Sequence, residues 1–382
     1  MAVAVICEFN PFHNGHRYLL NTAKKLTGEA VLAVMSGSFT QRGEVALCSK
    51  FERAEAALKS GADLVAELPA VYAVSCAERF ARGGVNISKM FGCVNYLAFG
   101  CEDDDIDLLK TAAFAGENPE VNAIIAEQMN SGSYYPKAYE YAVRQVCGGE
   151  VADVLTKPNN ILAVEYIRAL RGTDIKPLPI KRVGAEHDSD GADGIYAGAS
   201  YIRKLLRSGE GADGLLPYVP SEITYPEKLD RALLYKLRNM NAEQLRALPE
   251  VGEGLENRIL SAARKFGTAE EVIGEVKTKR YTRSRICRIL TCALLDITEE
   301  LQTKTADYAR VLGFTDEGGK MLKTCSGRVI TSVAKTDGLD ADSAELLAAD
   351  IRATDAAALA YEKVKPCGAD YLTKIIKPNS AK

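Results

Sequence analysis

The chain holds three histidines, and two of them, His13 and His16, stand three residues apart within Cys7-Glu-Phe-Asn-Pro-Phe-His-Asn-Gly-His16. Residues three apart on a helix share a face, so both imidazoles would point the same way. Imidazoles beside a phosphate donate hydrogen bonds to its non-bridging oxygens and stabilise charge that grows during attack at phosphorus. Gly15 removes a side chain where a base or ribose must come close. A His-x-x-His pair can also hold a metal, but the metalloprotease form needs a Glu after the first His, and Asn14 stands there. A loop with two histidines and a structural glycine is the plain alternative. What flanks the pair decides among these.

Residues 2–7 read as a buried strand, and residues 15–26 carry Tyr18, Leu19, Ala23 and Leu26 at helical spacing. The pair therefore sits between a strand and a helix. Ligands of open α/β sheets bind at the carboxyl ends of strands, where helix N-termini offer free N–H groups to phosphate. The alternation continues with strands at 30–35, 63–67 and 96–99 and helices at 50–60 and 75–90. Val31-Leu-Ala-Val34 is apolar on both faces, as a sheet covered by helices requires. The fold class expected is α/β, a Rossmann-like domain with a parallel sheet, followed by a mainly helical C-terminal domain. The boundaries expected are 1–215, with a helical insertion at about 102–150, and 222–382 after the linker Leu216-Pro-Tyr-Val-Pro220. Residues 159–170 read as a further helix and 175–183 as an extended run.

Other stretches are candidates by position. The turn 36–43 follows the second strand and carries Gln41 and Arg42, with Lys50 at the next helix start; functional residues concentrate on such loops. Gly100 closes the fourth strand. Of Asn159 and Asn160, one caps a helix and the other is available to a ribose or base. Lys181-Arg182 places two cations at the sheet edge, and Arg grips phosphate with two prongs. Ser200 and Arg203 begin a helix in Ala197-Gly-Ala-Ser-Tyr-Ile-Arg203. The run Lys277-Thr-Lys-Arg-Tyr-Thr-Arg-Ser-Arg-Ile-Cys-Arg288 holds six cations and no acid, a footprint for RNA backbone in which Tyr281 would stack on a splayed base. The plain reading there is a solvated helix face with Tyr281 in the core. Glu102-Asp-Asp-Asp105 reads as a helix cap rather than a metal site.

Composition narrows the class. Of 382 residues, 47% are apolar and 26% charged, which excludes disordered and fibrous chains. The net charge of −3 excludes a globally basic nucleic-acid binder but not a local patch. No run approaches the ~20 apolar residues that cross a bilayer, and the N-terminus lacks a signal-peptide pattern, so a cytoplasmic address is expected. The ten cysteines form no C-x-x-C pair, which excludes a zinc ribbon and fits reduced thiols.

The motif resembles the HxGH signature of the nucleotidylyltransferase superfamily. A wider set resembles the bacterial tRNA(Met) cytidine acetate ligases: Met35-Ser-Gly-Ser-Phe-Thr-Gln-Arg-Gly-Glu44, Gly61-Ala-Asp-Leu-Val65, Lys157-Pro-Asn-Asn160, Lys181-Arg-Val-Gly184, His187-Asp188, Ser200-Tyr-Ile-Arg203, Lys279-Arg-Tyr-Thr-Arg283 and Arg310-Val-Leu-Gly-Phe314. The resemblance implies a ligase that activates acetate with ATP as acetyl-adenylate and acetylates the wobble cytidine of elongator tRNA(Met) to N4-acetylcytidine. Mg²⁺ would accompany ATP, no protein-held metal is implied, and neither membrane nor DNA is a partner. Oligomeric state stays open. Carried over by motif, the nucleotide contacts fall on Cys7, Glu8, Phe9, Asn10, Pro11, Phe12, His13, Asn14, Gly15, His16, Arg17, Tyr18, Leu19 and Leu20, and on Gly100, Asn160, Arg182, Val183 and Ser200. His13, His16 and Arg203 would act on the phosphates. Gln41, Arg42, Lys50, Lys279, Arg280, Tyr281, Arg283 and Arg285 would face substrate or tRNA. Gly198 and Ala199 depart from the superfamily, which usually has hydroxyl residues there. An adenylyltransferase acting on a small phosphate ester, or an RNA-binding protein that uses ATP only as a ligand, are the competing readings.

Overall fold

The six residues of strand β1, Ala2–Cys7, are buried without exception. Their side chains alternate across the sheet: Ala2, Ala4 and Ile6 join one core, Val3, Val5 and Cys7 the other. A strand covered on both faces needs this apolar run. The structure, a computed structural model, describes residues 1–184, 191–252, 254–336 and 338–378. The other strands are β2 Ala30–Ser36, β3 Leu64–Leu68, β4 Val94–Cys101, β5 Lys176–Lys181, the two-residue pair β6 Ala192–Asp193 and β7 Tyr196–Ala197, β8 Tyr308–Phe314 and β9 Arg328–Ile330. Seven of them form one sheet in the order β5-β4-β1-β2-β3-β8-β9. All neighbours in it are parallel except β3 and β8. The expected α/β sheet is present.

The expected division at 215–222 is corrected here. β8 and β9 come from the C-terminal part and extend the same sheet beyond β3, so the sheet's core draws on both ends of the chain. The reason lies in Arg310, a guanidinium in the middle of β8 that breaks the apolar signature of a buried strand. It is 5% exposed and paired with Glu67 of β3 at 3.0 Å and with Asp370 at 2.6 Å. Lys50 completes the cluster, 2.7 Å from Glu67 and 2.9 Å from Asp370. Lys50 is 1% exposed. It is a buried counter-ion, not a substrate-facing cation as its position in the βα turn suggested.

A separate helical cluster with its own apolar core spans Leu233 to Ala293. It leans on the sheet domain through the β2–helix turn. Gly43 has φ 76°, and a Cβ there would lie 2.4 Å from Arg288 N; Thr291 Oγ1 donates to Gly43 O at 2.7 Å. That approach admits only glycine. Where the helical insertion at about 102–150 is expected, the helices Ile106–Phe114, Pro119–Asn130, Tyr135–Val146 and Gly149–Val154 lie between β4 and the helix Pro158–Ala169. The acidic run before the first of these helices serves helix N-termini. Asp105 caps Ile106–Phe114, and Glu102 accepts from Asn159 N and Asn160 N at the start of Pro158–Ala169. No helix among the described residues is long and apolar enough to cross a membrane.

Candidate active site at the carboxyl ends of the central strands

The chain runs from β1 to its neighbour β2, whereas β4, on the other side of β1, is entered from β3. The crevice beyond the ends of β1 and β4 is therefore a topological switch point, where ligands of such sheets bind. A cleft of about 770 Å³ opens there, within the size range of small-ligand sites. Its walls include the Cys7–His16 turn, Gln41 and Arg42, Gly100 with Arg182, Ser200 with Arg203, Lys277 to Arg288, and residues of the helices Ala77–Met90 and Pro158–Ala169.

The turn after β1 is built by its own backbone. His13 is the N-cap of Asn14–Thr27, and its Nδ1 accepts from Gly15 N at 3.0 Å. His16 Nδ1 accepts from His13 N at 3.3 Å, closing a capping box. An imidazole whose Nδ1 accepts must carry its proton on Nε2 when neutral. The two rings stack with centroids 3.8 Å apart. Gly15 is needed for a reason other than ligand approach: a Cβ there would lie 2.9 Å from His13 Cε1. Arg53, fully buried, secures the turn from below by donating to Glu8 O and Ser36 O. No sequence signal marks it. Arg203 Nη1 donates to Asn10 O at 2.8 Å, which draws its guanidinium to the same turn.

Burial pushes His13 down to about 3, helped by the positive charges of Arg182 and Arg203. Burial likewise holds His16 well below the imidazole range, with His13 and Arg182 adding and the Pro11 carbonyl opposing. Both rings are neutral Nε2–H donors at neutral pH. Stability follows with a definite sign. The folded His13 refuses a proton that the unfolded chain takes up below its pKa of about 6.5. Its contribution is intact above that pH and is lost as pH falls toward about 3. Between about pH 7.5 and about pH 5 the loss should be about 2 kcal/mol for this residue. Chemical unfolding of the unliganded protein and of His13→Asn at both pH values checks it; equal losses in the two proteins would contradict the assignment.

The structure sorts the candidate residues. Cys7, Glu8, Phe9, Asn10, His13, His16, Leu19, Gly100, Arg182, Ser200 and Arg203 line the cleft. Gly15, Tyr18 and Val183 line a small adjoining cavity of about 40 Å³ that shares His13, His16 and Arg182 with it. Pro11, Phe12, Asn14, Arg17 and Leu20 line neither. Phe12 and Leu20 are fully buried in the core beneath the helix. Asn14 donates to Ile195 O and Gly214 O, and Arg17 points outward on the helix. Asn159 and Asn160 are placed differently. The Asn160 side chain is fully buried, accepting from Glu102 N and Asp103 N, while Asn159 lines the cleft beside Arg182. His187 and Asp188 lie outside the described residues.

The basic run is also sorted. Lys277, Arg283 and Arg288 reach the cleft, and Arg283 pairs with Glu270 at 2.6 Å. Lys279 and Arg280 are exposed away from it. Tyr281 is 7% exposed and belongs to the helical core, so it is no platform for a base. Arg285 lies over its ring and donates to Glu250 O. Sequence reasoning gave no role to Thr40, Glu44, Thr282 and Ser284, which line the cleft beside the candidates it named in the β2 turn and the basic run.

A mostly parallel sheet with a His-Asn-Gly-His turn at its switch point defines the class as a HIGH-type nucleotidyl transferase, and the family model HIGH Nucleotidyl Transferase matches residues 1–370. The tRNA(Met) cytidine acetate ligases of a Thermoanaerobacter species and of Clostridium kluyveri are 38% and 35% identical to the chain; the alignments cover 98% and 92% of it and 99% and 92% of those proteins. Thermotoga maritima TmcAL in its apo form is similar with a TM-score of 0.91 at 32% identity, over 98% of this chain and 99% of that one. The same protein bound with alpha-thio ATP gives a TM-score of 0.88. The chain belongs to the tRNA(Met) cytidine acetate ligase family.

Proposed function

We propose that the protein activates acetate with ATP and passes the acetyl group to N4 of the wobble cytidine of elongator tRNA(Met), in the cytoplasm. One observation carries the reading: two neutral histidine donors and two arginines share a cleft whose far wall is a basic helix. The cleft suits ATP in volume and in donors. His13, His16, Arg182, Arg203 and the helix N-terminus at Ser200 face where the phosphates would lie.

A carboxylate oxygen of acetate attacks the α-phosphorus and pyrophosphate leaves. The Nε2–H groups and guanidinium groups meet charge that grows on the phosphate oxygens. Mg²⁺, carried by the phosphates, would neutralise them further. Lys277 and Arg283 on the opposite wall bring the RNA backbone to the same cleft, and a base extruded from the anticodon loop then meets the adenylate. The functional division follows: residues of the sheet hold the nucleotide, and the helical cluster holds tRNA.

The test combines enzyme, ATP, acetate and unmodified elongator tRNA(Met), with N4-acetylcytidine measured by mass spectrometry of nucleosides. Absence of the product, or product that forms without ATP or without acetate, would dismiss the proposal. Reversal of two exposed charges, Lys279→Glu with Arg280→Glu, should weaken tRNA binding about tenfold or more and lower the slope of log affinity against log salt by about two. An unchanged slope in a filter-binding titration would remove this run from the RNA surface.

A further inference from the structure

Tyr166 sits on the helix Pro158–Ala169, whose first turn carries Asn159. It is 5% exposed and lines the cleft together with Ile6, Phe80 and Phe99. Its hydroxyl has no hydrogen-bond partner among the described residues. Tyr72, Tyr139 and Tyr308 are buried to similar degrees, and their hydroxyls bond to Lys304 O, Ala112 O and Asp350. Tyr166 differs in lining the cleft, so its hydroxyl, bonded to no described protein group, is placed to donate to a ligand that enters there.

The surroundings say what kind of ligand. Ile6, Phe80 and Phe99 are 7%, 2% and 3% exposed. Phe99 lies 5.7 Å from the Tyr166 ring between centroids. Ile6 is held against Gly84, where a Cβ would come within 2.5 Å of its Cδ1. These side chains are buried and apolar, with the uncharged Tyr166 hydroxyl among them. Arg182 and Arg203 stand in the same cleft. The combination fits a short carboxylate: apolar contact for its carbon, a hydroxyl for one oxygen, and the phosphate-binding cations within reach of its charge. Burial first, then the charges of Cys7 and Glu8, push the Tyr166 pKa up. The phenol thus stays a donor at any working pH.

We propose that this end of the cleft is the acyl pocket: Tyr166 donates to one carboxylate oxygen of acetate, and Ile6, Phe80 and Phe99 enclose its methyl group and exclude longer chains. This rests on the function proposed above. The second carboxylate oxygen remains free to attack the α-phosphorus. There a bond from oxygen to phosphorus forms, and the bond from the α-phosphorus to the oxygen that departs with pyrophosphate breaks. Tyr166 gives up no proton in this step; its hydrogen bond passes from a carboxylate oxygen to the carbonyl oxygen of the acetyl-adenylate. It is a substrate-binding, specificity-determining residue.

The experiment is acetate-dependent ATP–pyrophosphate exchange with the full chain and two variants. Tyr166→Phe keeps the ring and strands no protein group, so its melting temperature should not fall. Its KM for acetate should rise about tenfold to a hundredfold, the range for a hydrogen bond to a charged group. Its affinity for ATP, measured by calorimetry, should stay within about twofold. Phe80→Ala should raise the ratio of kcat/KM for butyrate to that for acetate about tenfold or more. If the unaltered protein exchanges with acetate and Tyr166→Phe matches it within about twofold in both KM and kcat, the pocket is assigned wrongly. Equal losses of ATP and acetate affinity in Tyr166→Phe count against it as well. An unaltered protein that shows ATP binding but no acetate-dependent exchange overturns the functional reading, and this pocket with it.

Discussion

Replacing His13 with Asn lowers the rate of acetyl-adenylate formation by about 10²–10³-fold, the loss seen when one positioned donor to a developing negative charge is removed. Asn is chosen because His13 has two duties. It caps the helix Asn14–Thr27 through Nδ1, and its Nε2–H is left for the ligand. Asn is among the best N-caps, so the helix start survives while the second donor is lost. Ala would remove both and add about 1 kcal/mol of lost stability. His16→Asn should show a loss of the same order. The double variant should be little worse than either single one, because the stacked rings act on the same phosphate as a unit. Affinity for ATP should change far less than the rate, since the donors matter most where charge grows. Pyrophosphate exchange and ATP calorimetry, run side by side, separate the two. Full activity in both single variants would remove the histidines from the chemistry.

The second large effect is on stability. Lys50→Met should destabilise the fold by about 3–5 kcal/mol, because it leaves Glu67 and Asp370 facing each other with Arg310 as their remaining cation. Domains are stable by only about 5–15 kcal/mol, so the midpoint of chemical unfolding should move plainly. The cluster ties β3, β8 and the C-terminal segment at Asp370 to the helix that begins at Lys50. Removing residues from 366 onward should therefore act like the substitution, and combining the two should be less than additive. A Lys50 that faced substrate would behave otherwise: its loss would raise KM and leave the unfolding midpoint in place. The two measurements on one variant discriminate these roles.

Strand and helix positions in the first half of the chain were legible because they rest on neighbours in sequence. β1 and β2 are continuous apolar runs, and the helices between strands show their spacing directly. β8 was not legible. Its charged Arg310 belongs inside the strand only because Glu67 and Asp370 meet it there, contacts that span 243 and 60 residues. The candidate site divides the same way. The turn from Cys7 to His16 carries its own capping box, all its partners lying within three residues, and its sequence pattern was sufficient to place it.

Asn159 and Asn160 show the limit of that reasoning. Adjacent residues on a helix point about 100° apart, so only the direction in which Pro158–Ala169 packs decides which one sees the cleft. Glu102 and Asp103 hold Asn160 inward and leave Asn159 at the wall. Tyr281 is another case: an aromatic within a basic run suits a base-stacking platform until the helical cluster closes over it.

From the order of residues alone came the alternating α/β pattern, the strand–turn–helix carrying two histidines on one face, and the basic run far downstream. These follow from periodicity, capping and charge, whose interactions reach only a few residues along the chain. Tertiary structure decided that the basic run forms a wall of the histidine cleft, that Lys50 and Tyr281 turn inward, and that the Tyr166 hydroxyl stands at the apolar end with no hydrogen-bond partner among the described residues. Those outcomes depend on how separate elements dock against one another, and the apolar burial that drives docking is non-directional and carries no local signature.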